Sequence, residues 1–246
     1  MLKIGILGEY GPYPAPGGTT TGLLVQTETG HFLIDIGSGV LAEMTRHISL
    51  NDLDALIITH HHHDHVSDLG VLKYAIMVER AQGKRDRPLA VYANGEPKND
   101  FAKVTMKDHV IATPIFADTV LTLCGATVRF AAVNHAIPTL AVAVEKDGKK
   151  FVFSADTGPC PEIERLAEEA DLFICEASWL IADEGPAEIG HLTTKQAAEI
   201  AKKADVKDLC LTHLYPDYHP ETIRQEGTQY FGRPVHVAQK GMWFEL

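Results

Sequence analysis

The chain has 246 residues, 45% hydrophobic and 22% charged, with a formal net charge of −11. That is an ordinary composition for a soluble protein with a sizeable core, and no apolar run approaches the ~18 residues that span a bilayer. The acidic balance argues against a broad phosphate-backbone footprint of the kind nucleic-acid binders use, although carboxylates holding divalent cations would cancel part of the charge locally.

In chain order, the stretch Met1-Leu2-Lys3-Ile4-Gly5-Ile6-Leu7-Gly8 is broken by glycine too early for a signal peptide. It reads as a first strand over 2–7, which makes the cytoplasm the expected location. Strands follow at 22–28 and 31–36, with Gly30 turning the chain between them. The pattern predicts helices over 40–47 and 66–81 on either side of a strand at 55–59, then a strand at 89–93 and a helix at 97–107. The middle is strand-rich, at 109–112, 119–123, 126–133, 139–145 and 150–154, and Lys146-Asp147-Gly148-Lys149 joins the last two. Helices at 161–169, 194–203 and 220–227 then alternate with strands at 171–176 and 208–212, before short strands at 234–237 and 241–244. Two strand-rich portions, each with its helices, predict an α/β fold in which two sheets pack face to face with helices outside. Without a linker, repeat or low-complexity tract, residues 1–246 are expected to form a single domain.

Cys124, Cys160, Cys175 and Cys210 form no CxxC pair, and the last two sit in apolar runs, so buried free thiols are expected. The basic group Arg80, Lys84, Arg85 and Arg87 reads as a solvated helix end. The segment Tyr10-Gly11-Pro12-Tyr13-Pro14-Ala15-Pro16-Gly17-Gly18 must be a loop, either a plain connection or one that faces substrate.

The strongest signal is His60-His61-His62-His63-Asp64-His65, five imidazoles and a carboxylate directly behind the apolar run Leu53-Asp54-Ala55-Leu56-Ile57-Ile58. Imidazole and carboxylate are ligands for a borderline divalent ion such as zinc. An affinity tag would sit at a terminus, and this run is internal. Near a strand end His60 and His62 share a face, which separates one ligand pair from another formed by Asp64 and His65. His135, Asp156 and His213 each follow a short apolar run. Singly each is a ligand or a loop residue, but one metal site accounts for all of them.

Thr59-His60-x-His62-x-Asp64-His65, followed in order by His135, Asp156 and His213, resembles the metallo-β-lactamase fold superfamily. The resemblance implies a four-layer αββα sandwich with two divalent ions, zinc by default and manganese or iron as alternatives. It places His60, His62 and His135 on one ion and Asp64, His65 and His213 on the other, with Asp156 bridging. Asp35, after an early strand, would orient a ligand histidine; His61 and His63 would face outward or sit behind the ligands. Asn134-His135-Ala136-Ile137-Pro138, Ser154-Ala155-Asp156-Thr157, Glu176-Ala177-Ser178 and His191-Leu192-Thr193-Thr194 are similar to the ribonuclease Z-like branch. In that branch a histidine backed by a glutamate donates a proton, which assigns the role to His191 with Glu176. A plain loop histidine ahead of a helix capped by Thr193 or Thr194 is the other reading of His191.

The chain also departs from that branch. The interval from His135 to Asp156 holds one compact hairpin, with no room for a tRNA-gripping arm. The strand Thr139-Leu140-Ala141-Val142-Ala143-Val144 lacks the branch's aromatic-arginine pair, and Leu192 replaces its serine. The implied activity is hydrolysis of a small or cyclic phosphodiester: a metal-bridging hydroxide attacks, Asp64 orients it, and His191 protonates the leaving group. The rival readings are lactone or thioester hydrolysis, tRNA 3′-processing, and a non-catalytic metal-binding protein. The expected partner is a small molecule rather than nucleic acid or membrane, and the resemblance adds a homodimer.

Overall fold

The computed structural model describes residues 1–183, Gly185 and 190–246. Among the described residues, fourteen strands form two seven-stranded sheets. The first sheet takes β1 (Leu2–Gly8), β2 (Gly22–Thr27), β3 (Gly30–Ile34), β4 (Leu53–Ile58), β5 (Leu89–Asn94), β6 (Val110–Ile115) and β14 (Trp243–Glu245), in the order β14-β1-β2-β3-β4-β5-β6. The second takes β7 (Val120–Leu123), β8 (Ala126–Val133), β9 (Thr139–Lys146), β10 (Lys149–Phe153), β11 (Leu172–Glu176), β12 (Asp208–Thr212) and β13 (His236–Val237), in the order β13-β12-β11-β10-β9-β8-β7. Each sheet is antiparallel in one half and parallel in the other: β3 to β6 run parallel, as do β10 to β13.

The alternation along the strands builds the layers. In β3, Phe32 and Ile34 enter the core between the sheets, while Leu33 faces the other way. In β4, Ala55 and Ile57 go in, and Leu56 and Ile58 go out. The inner faces meet in one core, where Ile6, Phe32 and Ile57 join Phe130, Phe151, Phe153 and Ile174 from the second sheet. Outside the first sheet lie α1 (Val40–Met44) and α3 (Leu69–Ala81), burying Val40, Met44, Leu72 and Ile76. Outside the second lie α5 (Pro161–Ala167), α6 (Thr194–Lys203) and α7 (Pro220–Phe231), burying Ile163, Ala197, Ile200 and Ile223. The result is the expected αββα sandwich. All the cysteines are free, Cys175 and Cys210 being buried. Among the described residues no helix is long and apolar enough to cross a membrane.

Several local expectations need correction. The helix expected over 66–81 is divided into α2 (His63–Val66) and α3, because Asp68 N–H turns to the Ile36 carbonyl at 3.1 Å while its carboxylate accepts from Leu41 N–H at 3.0 Å. The one over 97–107 shrinks to α4 (Lys98–Phe101), since the chain then folds back through an isolated bridge between Met106 and Val110. The one over 220–227 runs on to Phe231 and stops at Gly232, whose φ of 83° ends it. Gly227 does not break it; a Cβ there would lie 2.7 Å from Leu211 Cδ1, so glycine lets the helix approach the sheet.

Within the basic group Lys84 and Arg87 are exposed as expected, but Arg85 is not solvated. Arg85 is only 1% exposed and donates to the carbonyls of Leu50, Asn51, Arg87 and Pro88 at 2.8 to 3.5 Å. It fastens the loop ahead of β4 to the loop ahead of β5. Replacing it leaves those carbonyls without their cationic donor, so Arg85→Met should cost about 2 kcal/mol in urea unfolding. Lys84→Met, at an exposed ion pair with Glu79, should cost under about 0.5 kcal/mol.

Candidate metal centre

The candidate ligands and their carboxylate anchors stand at the carboxyl ends of strands, while His191 precedes α6. Asp35 follows β3, the histidine run follows β4, and His135 follows β8. Asp156 follows β10, Glu176 ends β11, and His213 follows β12. Ligand sites form where parallel strands end because successive loops there converge on one edge. The two sheets are tied at that edge: Leu140 N–H reaches Thr59 O at 3.2 Å, and Asn94 Nδ2 donates to Thr59 O and Pro138 O at 3.2 and 2.9 Å. Asp35, Ala155 and His213 are non-glycine residues with φ of 61°, 51° and 57°. Such left-handed backbone costs on the order of 1–3 kcal/mol per residue and concentrates at functional sites.

The side chains form two groups that share Asp156. In one, ligand atoms of His60, His62, His135 and Asp156 all lie within 4.8 Å of one another; in the other, those of Asp64, His65, Asp156 and His213 do. Asp156 Oδ2 is 3.5 Å from His60 Nε2, 3.7 Å from His135 Nε2 and 3.3 Å from His213 Nε2. Its Oδ1 lies 3.1 Å from His65 Nε2. His213 Nε2 also lies 3.1 Å from Asp64 Oδ2.

The backing of the rings fixes which nitrogen faces inward. Thr59 donates its hydroxyl to Asp35 at 2.8 Å, so the His60 Nδ1 beside it at 3.1 Å must donate to Thr59. His65 Nδ1 donates to Asp35 at 2.7 Å, and His135 Nδ1 to Gly190 O at 2.9 Å. Ser178 gives its hydroxyl proton to Glu176 at 2.8 Å and therefore accepts from His213 Nδ1 at 2.8 Å. In four histidines Nδ1 is thereby held by a partner and Nε2 is the nitrogen aimed at Asp156. His60 Nε2, His65 Nε2 and Asp156 Oδ1 are buried without a hydrogen-bond partner. Unmatched buried acceptors of this kind fit divalent cations, and the nitrogen-and-oxygen donor set suits zinc and its neighbours.

The electrostatics differ from ring to ring: burial favours the neutral form of His65, but the Asp156 and Asp35 carboxylates outweigh it and raise His65 well above its ordinary value. Burial pushes His60 down to about 4, which keeps it neutral, the ligating form. Burial likewise lowers His62 and His135. Burial opposes the charge on Asp64, but the His213 hydrogen bond prevails and holds it at about 2. Burial also disfavours the His191 cation, yet the Glu176 carboxylate at 2.8 Å outweighs it and lifts His191 to about 9.

His191 lines the cavity beside both groups, stacked on His213 at 5.3 Å and edge-on to His135 at 4.9 Å. Glu176 and His213 also lie within ligating distance of it. Glu176, however, already accepts from Thr157 N, Ser178 N, Ser178 Oγ, Leu192 N and His191 Nδ1. A carboxylate has about four lone-pair directions, so Glu176 is saturated and serves as a buried anionic anchor. Thr193 caps α6 in a capping box with Gln196, leaving His191 outside the helix. Leu192 is buried in the core under the second sheet.

The remaining members of the run point elsewhere. His61 donates from Nε2 to Asn94 O at 2.8 Å, and His63 is exposed at the rim. The Tyr10–Gly18 loop does reach the cavity, through Gly11 and Pro12. A Cβ on Gly11 would lie 2.0 Å from His213 Nε2, so only glycine fits there. The roles of Ser178, Asn94, Gly11 and Gly190 were not anticipated from sequence. Ser178 had a signal, since two residues after Glu176 it shares that residue's face.

Metal content of the purified protein tests this arrangement. His60→Ala should lose bound divalent metal while His61→Ala keeps it, and the reverse pattern would put the register in error. Ser178→Ala, which unties His213 from Glu176, should weaken metal affinity about 10- to 100-fold by competition with a chelator.

Residues 31–214 match the family described as the Beta-lactamase superfamily domain. The probable metallo-hydrolase YhfI of Bacillus subtilis is 30% identical over 99% of this chain and 100% of its own length. The crystal structure of YhfI, described as a metallo-β-lactamase fold protein, superposes with a TM-score of 0.95 over 99% of this chain and 98% of that one. A ribonuclease Z of Lachnospira eligens is 26% identical over 100% of this chain and 98% of its own. A diphosphatase of the PhnP family, 18% identical, shares the fold with a TM-score of 0.76 over 100% of this chain and 98% of that one. The chain belongs to the β-lactamase superfamily, as a metallo-β-lactamase fold hydrolase related to ribonuclease Z.

Proposed function

We propose that this hydrolase cleaves a small or cyclic phosphodiester, with His191 as the proton donor to the leaving alkoxide. The observation that carries this reading is an imidazole anchored at 2.8 Å to a buried carboxylate and stacked on a histidine of the metal-ligating group. His60, His62, His135 and Asp156 would hold one divalent ion, and Asp64, His65, Asp156 and His213 a second, zinc being the first candidate. Bound there, the ions would supply Lewis acidity and a water of lowered pKa.

The chain's own residues do the rest. Glu176 receives His191 Nδ1–H and so leaves Nε2 as the nitrogen that meets the substrate. A proton held there passes to the departing oxygen as the P–O bond breaks, a contribution worth about 10²–10⁴ in rate. Asp64, on the cavity floor, orients the attacking water through a carboxylate oxygen. The Thr139–Lys146 and Lys149–Phe153 hairpin fills the interval between His135 and Asp156, and the cavity of about 510 Å³ suits a small substrate. A relative whose name states a ribonuclease, an enzyme that cleaves phosphodiesters, supports phosphoester chemistry over a lactone or thioester.

The proton donor matters most where the leaving group is poor. His191→Ala should therefore slow an alkyl phosphodiester by about 10²–10⁴ and bis-p-nitrophenyl phosphate by under about tenfold. Equal slowing of both would remove His191 from that role. Metal-loaded protein that opens lactones and leaves both phosphodiesters intact would overturn the phosphodiesterase reading.

A further inference from the structure

The cavity has two chemically different parts. Its floor carries the histidines and carboxylates of the metal-ligating groups. Its wall carries Pro12, Trp179 and Tyr215, and no lysine or arginine lines it among the described residues. A second phosphate, or the chain of phosphates in a nucleic acid, would need cations at a distance from the floor. None is placed there, so the wall suits an uncharged group.

The aromatic members are held in place. Tyr215 meets Tyr13 edge-to-face at 5.9 Å, their hydroxyls 3.2 Å apart, and leans on Tyr218 at 5.2 Å. Tyr13 remains 47% exposed, which extends the wall toward solvent. Trp179 comes from the opposite direction in the chain, just past Ser178. Its backbone is fixed by Trp179 N to Leu192 O at 3.2 Å and Thr194 N to Trp179 O at 2.8 Å. A Cβ on Gly185 would lie 2.7 Å from the indole, so that glycine lets the chain lie close against the ring. Rigid aromatic surface beside an anion-binding floor is the arrangement that binds a planar ring joined to a phosphate, because any such ring has a face to stack.

We propose that Tyr215, braced by Tyr13, and Trp179 form a ring-binding subsite. It selects singly charged phosphodiesters that carry a planar ring, with the phosphate over the histidine floor. This subsite rests on the phosphodiesterase reading for its substrate, but its ligand preference is measurable by binding alone.

The test uses two stable monoanions of similar shape, methyl phenylphosphonate, which has a ring, and methyl ethylphosphonate, which has none. The chain has two tryptophans, and Trp243 lies on β14 against His47, away from the cavity. A metal-loaded Trp243→Phe protein therefore reports on Trp179. Methyl phenylphosphonate should quench its fluorescence saturably and bind roughly 5- to 150-fold more tightly than methyl ethylphosphonate, the range expected of one stacked ring. Tyr215→Ala should erase most of that preference and raise KM for bis-p-nitrophenyl phosphate with little change in kcat. Tyr215→Phe, which keeps the ring, should retain the preference. Equal affinity for the two phosphonates in the parent protein overturns the subsite, whatever the variants do. Ring preference without hydrolysis of any phosphodiester supports the subsite and overturns the phosphodiesterase reading; hydrolysis without ring preference does the reverse.

Discussion

A carboxylate taken out of water has to be surrounded by donors, and this fold turns that demand into a device for aiming histidines. Each sheet buries one such group at its active edge. Asp35, from the first sheet, accepts from Thr59 N, Thr59 Oγ1 and His65 Nδ1, and through Thr59 it also sets His60. Glu176, from the second, accepts from Thr157 N beside Asp156, from His191, and from Ser178, through which it sets His213. Neither anchor lines the cavity. They hold the Nδ1 side of the rings and so leave Nε2 converging on Asp156. Removing an anchor would leave its donors unmatched in the interior, so the cost would fall on folding as well as on metal affinity.

The second constraint is topological. Antiparallel strands alone would scatter loop residues over both edges of each sheet. Because β3, β4 and β5 run together, and β8, β10, β11 and β12 point one way, the residues after them gather on one edge. Positive φ at Asp35, Ala155 and His213 turns the chain sharply at the ends of these strands. The strain of those turns is borne by cores in which nearly every strand residue is buried, such as Leu172–Glu176.

How much of this could be read from the sequence follows from the range of the interactions involved. The strand at 126–133, the helix at 194–203 and the strand at 208–212 coincide with the structure because apolar periodicity and a local capping box decide them. The metal-ligating groups were legible because the histidine run is dense and the later ligands each follow an apolar run. What could not be read depends on contacts distant in sequence. The break at Ser67 and Asp68 needs the Ile36 carbonyl, Gly227 reads as a stop until Leu211 and Val235 are seen against it, and Arg85 reads as surface until the Leu50 and Asn51 carbonyls close over it. The family resemblance gave roles to His191 and Glu176, but the partition of Glu176 among five donors is visible only in three dimensions.

The site is also divided by how firmly its parts are held. Residues that could ligate metal stand at the ends of packed strands, where neither sheet can shift without disturbing the core between them. The aromatic wall comes from loops: Tyr13 precedes β2, Tyr215 follows His213, and Trp179 follows β11. Gly11, pressed on His213, Ser178, bonded to the same ring, and Gly190, bonded to His135, link loops to the candidate ligands at close contact. The residues that could ligate metal and the aromatic wall thus rest largely on separate supports, although His191 shares the segment between β11 and α6 with Trp179. The β-lactamase fold names the hydrolytic centre, but not the substrate. The residues proposed to make that choice, Tyr215, Trp179 and the carboxylate-backed His191, line the same cavity.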